Sequence, residues 1–421
     1  MDGPAILAAV GDVLVDRADP AGALGPVAPL LLGADLAFGN FEGVLSDAHG
    51  AIPGASTSSI VSAANAVPLR AFDVLSLANN HAMDAGGGGL ADTMDALARH
   101  GVQTIGAGPT VDAALRPYTV DIGGQRVAVL AATSVFQVGT GAGQQSPGVA
   151  PLRAEDSYLP PYPGVHAPGV PPRVLSILDE RDWERLAGAV AAAAADADLV
   201  VVSVHWGDHT RPWVLTEHER LCGGLLVEAG ADVVLGHHQH ILRGAEFIDG
   251  SVVLYGLGHA VFDYPRFPAE LRARGVDVTG LSEAELVDRF GEYGIFPRPD
   301  SPAFPFHPMA RTTAVALVEL TGAGLGRCGL VPCRIDPSGT PRPVRRDSPE
   351  WTDTVAFLRA CPARARLASQ VVDGGWVHGG YDVVELIGIP DPAEPAGTRP
   401  GGAGLVDIAD REPVAQPAPG G

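Results

Sequence analysis

No lysine occurs among the 421 residues, so all 28 basic residues are arginine. A phosphate loop of the GxxxxGK type, a Schiff-base lysine and a lysine general base are therefore excluded. Enrichment in Ala, Gly, Pro and Arg is what a GC-rich genome would give, and it accounts for the bias. Cysteine is also scarce: Cys222, Cys328, Cys333 and Cys361 have neither CxxC spacing nor the density of a disulfide scaffold. The run CGLVPC reads as two buried thiols, compatible with a reducing compartment. Positive charge is in deficit, with 49 acidic residues giving a net charge of −21, which disfavours nucleic acid and anionic lipid as partners. The densest basic cluster, RPVRRD at 342–347, reads as a solvated loop. The opening MDGPAILAAVGD has no basic n-region and only a short apolar run, so it lacks the form of a signal peptide or membrane anchor. It reads as a first core strand, and the expected location is cytoplasmic. The long apolar run LAGAVAAAAADADLVVVSV is broken by Asp196 and Asp198 into a helix and a following strand. There is no internal repeat.

With 46% hydrophobic residues and positive mean hydropathy, the chain can bury one large core or two smaller ones. Strands are expected at 4–11, 34–38, 72–78, 102–106, 126–132, 198–205, 232–236 and 252–256. Helices are expected at about 60–70, 87–100, 180–196 and 214–229, which together predict an α/β fold with a largely parallel centre. Residues 138–172 read as a long Gly/Pro/Ser loop lying over the site, and 263–310 as a second irregular insertion. TTAVALVEL and LGRCGLVPCRID read as paired strands, and 349–371 as a final helix. The expected organisation is a main domain over 1–340, a helical extension over 341–388 packed on it, and a disordered tail from 389 to 421.

Four apolar runs end in polar side chains. ILAAVGD ends at Asp12, VLSLANNH at Asn79, Asn80 and His81, DLVVVSVHWGDH at His205, Asp208 and His209, and VVLGHHQH at His237, His238 and His240. Strand ends are where open α/β sheets carry their sites. A di-metal site needs a bridging carboxylate, neutral imidazoles and often an amide oxygen, with the ions about 3.5 to 4 Å apart. Asp12, Glu42 in GNFEG, Asn80, His205, His238 and His240 supply that set. His100, His166, His218 and His378 have no partners in sequence and read as surface or packing residues.

The ordered blocks GD, NFE, NNHAMDAG, GAG, VVSVHWGD, GADVVLGHHQHILRGAE and YGLGHAVFD resemble the CapA family of capsule and poly-γ-glutamate synthesis proteins, over residues 6–263. That resemblance implies a calcineurin-like metallophosphatase fold, a four-layer αββα sandwich. It also implies one metal held by Asp12, Glu42 and His240, and a second held by Glu42, Asn80, His205 and His238. His81 would be the general acid or a phosphate-contacting imidazole, oriented by Asp84. The ions would be one or two of manganese, iron or zinc.

Three positions depart from related patterns. Metallophosphatases usually place a histidine two residues after the first aspartate, where this chain has Leu14, a lack the CapA family commonly shares, so the first metal is expected to bind weakly or not at all. HPH is HQH here, which keeps both imidazoles. SLGNF is GLGHA, which puts His259 where the family has asparagine and leaves open an added ligand, a substrate contact or a structural role. Family members acting on capsule polymer carry an N-terminal anchor that this sequence lacks. The preferred expectation is a metal-dependent hydrolase of a phosphoester or a peptide or γ-glutamyl-type substrate, with His81 protonating the leaving group. A second is a metal-independent peptide epimerase of lasso-peptide biosynthesis, with Asp12 and His307 as the acid/base pair. A third is a non-catalytic accessory role in polymer synthesis.

Overall fold

Ten consecutive buried residues, Ala5–Leu14, form the strand on which the site is built. In the computed structural model, which describes residues 4–53, 58–299, 301 and 303–389, this strand is buried on both faces. Its alternate side chains enter different cores: Ile6, Ala8 and Val10 one, Leu7 and Ala9 the other. The strand changes neighbour halfway along. Ala5–Ala9 pairs antiparallel with Thr312–Thr321, whereas Asp12–Leu14 pairs parallel with His259–Phe262. Gly11 makes the switch possible, because a Cβ there would lie 2.0 Å from the Gly258 carbonyl oxygen.

The resulting ten-stranded sheet runs in the order Ser369–His378, Tyr381–Gly388, Gly324–Ile335, Thr312–Thr321, Ala5–Leu14, Leu36–Phe41, Val74–Ser76, Gln103–Ile105. His259–Phe262 and Pro341–Pro343 pair off this path. A second sheet of six strands runs Ala245–Ile248, Ser251–Leu254, Val233–His237, Leu199–His205, Gln125–Thr133, Tyr118–Ile122. One core joins residues of both sheets, including Leu7, Phe38, Val129, Val201, Leu235 and Ala316. A second core sets Ile6, Ala8 and Val10 against Leu90 and Leu97 of the helix Gly86–Arg99. A third sets Leu130, Val202 and Val234 against Leu186 and Val190 of Glu180–Asp196 and Cys222 and Leu226 of Glu217–Glu228. Both of those helices start on side-chain caps, Asp179 for the first and a Thr216/Glu219 capping box for the second. The chain is thus α/β.

Each of the eight expected strands has an observed counterpart, and the helix expected over 180–196 has those bounds. The helix expected at 60–70 is instead a 3-10 helix, Ala63–Ala71, because Pro68 lies within it and cannot donate the backbone bond an α-helix needs. The expected loop over 138–172 contains Ala154–Leu159, which pairs antiparallel with Arg173–Leu178. The insertion over 263–310 carries two short helices, Phe267–Ala273 and Glu283–Phe290. The extension over 341–388 is not simply helical. Its helix ends at Ala365, and Arg366 then turns left-handed at φ 56°. Ser369–His378 and Tyr381–Gly388 form a hairpin that pairs with Gly324–Ile335. Gly379 and Gly380, at φ 57° and 86°, supply the two positive-φ residues such a tight turn requires. The tail expected from 389 lies, apart from Ile389, outside the described residues. All four cysteines are buried free thiols, and no helix among the described residues is long and apolar enough to cross a membrane.

Candidate metal centre

Strand register brings the polar side chains together. Asp12 is the direct neighbour of His259 on one side and of Asn40 on the other, and in the second sheet His205 is opposite His237. Glu42 follows the end of Leu36–Phe41, and its amide is tied to the Val13 carbonyl at 3.0 Å. Beyond His237 the backbone becomes unusual, with His238 at φ 92° and His240 at φ 58°. Left-handed backbone at a non-glycine residue costs on the order of 1–3 kcal/mol and persists where the surroundings impose it. Here it turns two successive imidazoles away from the strand toward the carboxylates.

The side chains form two groups. Asp12, His240 and His259 offer ligand atoms within 4.8 Å of one another, as do Glu42, His205 and His238. Glu42 lies between them, with Oε1 3.7 Å from His205 Nε2 and Oε2 4.0 Å from His240 Nδ1. Asn80 Oδ1 is 2.8 Å from His205 Nε2. Both carboxylates have no exposed surface, and Asp12 Oδ2 and both Glu42 oxygens have no hydrogen-bond donor. Burial raises the pKa of Asp12, and burial plus the neighbouring Asp12 carboxylate raises that of Glu42 well above the ordinary range. Burial pushes His205, His238, His240 and His259 well below the ordinary histidine value. Neutral imidazoles facing donor-less carboxylates are a donor set that fits a divalent cation. Leu14 lies in the apolar core and takes no part.

A polar frame surrounds this set, in which Asn40, Ser59 and Gln137 join Asn79, His81 and Asp84. Asn40 donates to Asp12 Oδ1 at 2.8 Å and lies 3.4 Å from His205 Nδ1. Asn79 donates to Asn40 Oδ1 and to the Phe41 carbonyl, while its own Oδ1 accepts from the amides of His81 and Ala82. His81 Nδ1 is 2.8 Å from Asp84 Oδ2, which also accepts from the Ser59 amide, and Gln137 donates to Asp84 Oδ1. The imidazole is therefore held with Nδ1–H toward Asp84 and Nε2 outward. Asn40 stands in the same GNFEG block as Glu42, so its place at a strand end was the available signal.

The insertion covers one side of the centre. Phe306 lies 4.5 Å from the His240 ring and 4.4 Å from the His259 ring, centroid to centroid. His307, His209 and Tyr293 line a small cleft with His240 and Phe306. His307 thus reaches the neighbourhood of the site, although its Nδ1 accepts from the Met309 amide and its ring packs on Tyr293.

His218 lies apart from the centre, bridging Ser134 Oγ at 2.6 Å and Ser176 Oγ at 3.0 Å. Burial lowers its pKa below 6.5. A depressed pKa contributes stability that is present above the unfolded value and lost as pH falls through the folded one. Urea unfolding of chelator-treated protein is therefore expected to show stability falling below pH 6.5, with a shallower fall in His218→Gln, which keeps hydrogen-bonding groups but does not titrate. An unchanged slope in the variant would remove His218 from this role.

Comparison with known proteins returns the bacterial capsule synthesis protein family PGA_cap over residues 6–264. The chain is 32% identical over 195 residues to the PGA biosynthesis protein CapA of Bacillus subtilis, covering 46% of this chain and 43% of that one. It is 30% identical over 242 residues to the capsule biosynthesis protein CapA of Bacillus anthracis, covering 56% and 53%. It is 31% identical over 228 residues to a probable polyglutamine synthesis accessory protein of Mycobacterium tuberculosis, covering 51% and 53%. The chain spans about half the length of these curated relatives. Among solved structures it is similar to a hypothetical protein from Thermus thermophilus, with a TM-score of 0.42 and 14% identity over 78% of this chain and 98% of that one. With the match spanning the strands and loops that carry Asp12, Glu42, Asn80, His81, His205, His238 and His240, the chain belongs to the bacterial capsule synthesis protein family.

Proposed function

We propose that the protein is a metal-dependent hydrolase of metallophosphatase type serving capsule or polyglutamate synthesis, acting on a phosphoester or a γ-glutamyl-type amide. The observation that carries this reading is the pair of fully buried carboxylates, Asp12 and Glu42, with donor-less oxygens among neutral imidazoles. Unpaired buried charge is costly, and a bound cation offsets it. The αββα assignment is supported by the three cores, one between the sheets and one on the outer side of each under helices.

In this reading Asp12, Glu42 and His240 would hold one ion and Glu42, Asn80, His205 and His238 the other. When bound, the ions supply Lewis-acid polarisation of the substrate and activation of water. The protein supplies the rest. Asp84 accepts from His81 Nδ1–H and aims the ring, so that the doubly protonated imidazole gives up its Nε2 proton to the departing oxygen or nitrogen. Asn40 and Asn79 hold Asp12 and the His81 loop in place. Phe306 packs against the His240 ring and limits its movement. With a net charge of −21, the chain has little else that would attract an anionic substrate.

The epimerase reading needs Asp12 at a substrate carbon, yet Asp12 has no exposed surface and its Oδ1 is engaged by Asn40. The accessory reading draws on the name of the mycobacterial relative. One experiment separates the three. Purified protein is assayed with added manganese, zinc or iron on a phosphodiester and on γ-linked glutamate oligomers, with and without chelator. Cleavage that disappears on chelation and returns with metal is expected. Solvent deuterium entering a peptide α-carbon after chelation would overturn the hydrolase in favour of epimerisation, and no turnover with a fully metal-loaded protein would favour the accessory role.

A further inference from the structure

We infer that His259 is the ligand that completes the first metal position, in place of the histidine absent at Leu14, and that its phenylalanine surround makes that ion the slowly exchanging one. This rests on the metal-centre reading above and reverses the expectation that the first position is the weaker.

Three observations converge on His259. First, register sets it beside Asp12, and its Nε2 is 2.8 Å from His240 Nδ1, which in turn is 3.2 Å from Asp12 Oδ2. Two ligand atoms on one ion with bonds of about 2.1 Å stand roughly 3 to 3.4 Å apart, so a few tenths of an ångström of ring movement would let these donors share a cation.

Second, the placement of His259 is otherwise unfavourable. The residue has no exposed surface, and its Nδ1 has no hydrogen-bond partner. Its ring lies among Phe262, Phe304 and Phe306 at 5.0, 5.4 and 4.4 Å. An unsatisfied buried polar group costs on the order of 1–3 kcal/mol. The only polar outlet of the ring is Nε2, aimed at His240 and Asp12.

Third, the backbone is built to hold it there. Gly11 lets the Gly258 carbonyl approach and accept from the Asp12 amide at 2.9 Å, and Thr313 Oγ1 donates to the His259 carbonyl. The position of Leu14 cannot serve, because its side chain belongs to the apolar core. A histidine delivered from a neighbouring strand reaches the place that a histidine on the first strand would have filled.

The phenylalanines give the two positions different access. His259 is enclosed by Phe262, Phe304 and Phe306 and Asp12 beside it has no exposed surface, whereas Asn80 and His81 are partly exposed. An ion in the first position would leave chiefly by displacing this roof, whereas one in the second would have a path past the partly exposed Asn80.

The test uses cobalt(II) as the probe, on the full chain, with bound metal counted by elemental analysis and followed by its visible absorption during a challenge with excess chelator. Wild type is expected to bind two ions per chain and to release them in two phases. His259→Leu is expected to bind one and to lose the slow phase, whereas His205→Ala keeps the slow phase and loses the fast one. Phe306→Ala, which removes no ligand, is expected to bind two ions and to release the slow one at least tenfold faster. Should His259→Leu fail to fold, Phe306→Ala decides: an unchanged slow phase overturns the proposal. Two ions with an unchanged slow phase in His259→Leu would overturn the assignment while leaving the metal centre standing. A wild type that binds no stoichiometric cobalt would overturn the metal centre itself.

Discussion

Glu42→Gln is expected to empty both metal positions and abolish turnover, with a loss of at least about a thousandfold, while making the metal-free protein more stable. Glu42 is the one side chain whose two oxygens face both groups, 3.7 Å from His205 Nε2 and 4.0 Å from His240 Nδ1. An amide keeps the shape and one oxygen but supplies neither the negative charge nor the second oxygen, so the two ions could no longer share this side chain and both would be held more weakly. Without metal the balance reverses. Glu42 is then a fully buried carboxylate with no donor on either oxygen and with Asp12 beside it, a state that burial and like charge both disfavour. A glutamine there needs neither a buried charge nor the uptake of a proton to avoid one, for which a gain of about 1–3 kcal/mol is the scale. The measurement is metal content by elemental analysis together with urea unfolding of chelated wild type and variant. A variant that keeps two ions, or whose metal-free form is less stable than wild type, would show that Glu42 is a structural carboxylate.

Removing the His81 imidazole is the second large effect. His81→Ala is expected to lower kcat by a factor of about 10² to 10⁴, the usual contribution of a positioned general acid. Asp84→Asn is expected to cost about 10- to 100-fold, because it leaves the imidazole in place but no longer fixes its tautomer. Neither change should move the metal content, since His81 Nδ1 and Asp84 Oδ2 are turned toward each other, 2.8 Å apart, and Asp84 is otherwise held by the Ser59 amide and Gln137. A leaving group that departs without needing a proton should rescue His81→Ala and separate acid catalysis from simple substrate contact. Loss of metal from Asp84→Asn would move that residue into the ligand set.

Local signals in the chain carried a large part of this structure. The apolar runs before Asp12, His205 and His237 are strands because a strand buried on both faces has no polar face to alternate; His205 and His237 end theirs, and Asp12 stands within the longer Ala5–Leu14. The helix Glu180–Asp196 was legible from its Asp179 cap and apolar stripe. The hairpin after Ala365 was missed, although VHGGYD contains its turn, because the preceding helical pattern was extended through Arg366.

The sequence by itself determined the α/β class, the family, and the identity of the residues at the strand ends. Only the tertiary structure decided which of them face one another. Asp12 and His259 are adjacent in register though far apart in the chain, and that pairing depends on Gly11 allowing one backbone to approach another. Left-handed backbone at His238 and His240 turns two neighbours of an ordinary strand residue toward the carboxylates. The physical reason is one of range. Strand and helix propensity act over a few residues, whereas the meeting of Asp12, Glu42, His205, His240 and His259 is fixed by sheet order and packing, which involve the whole chain at once.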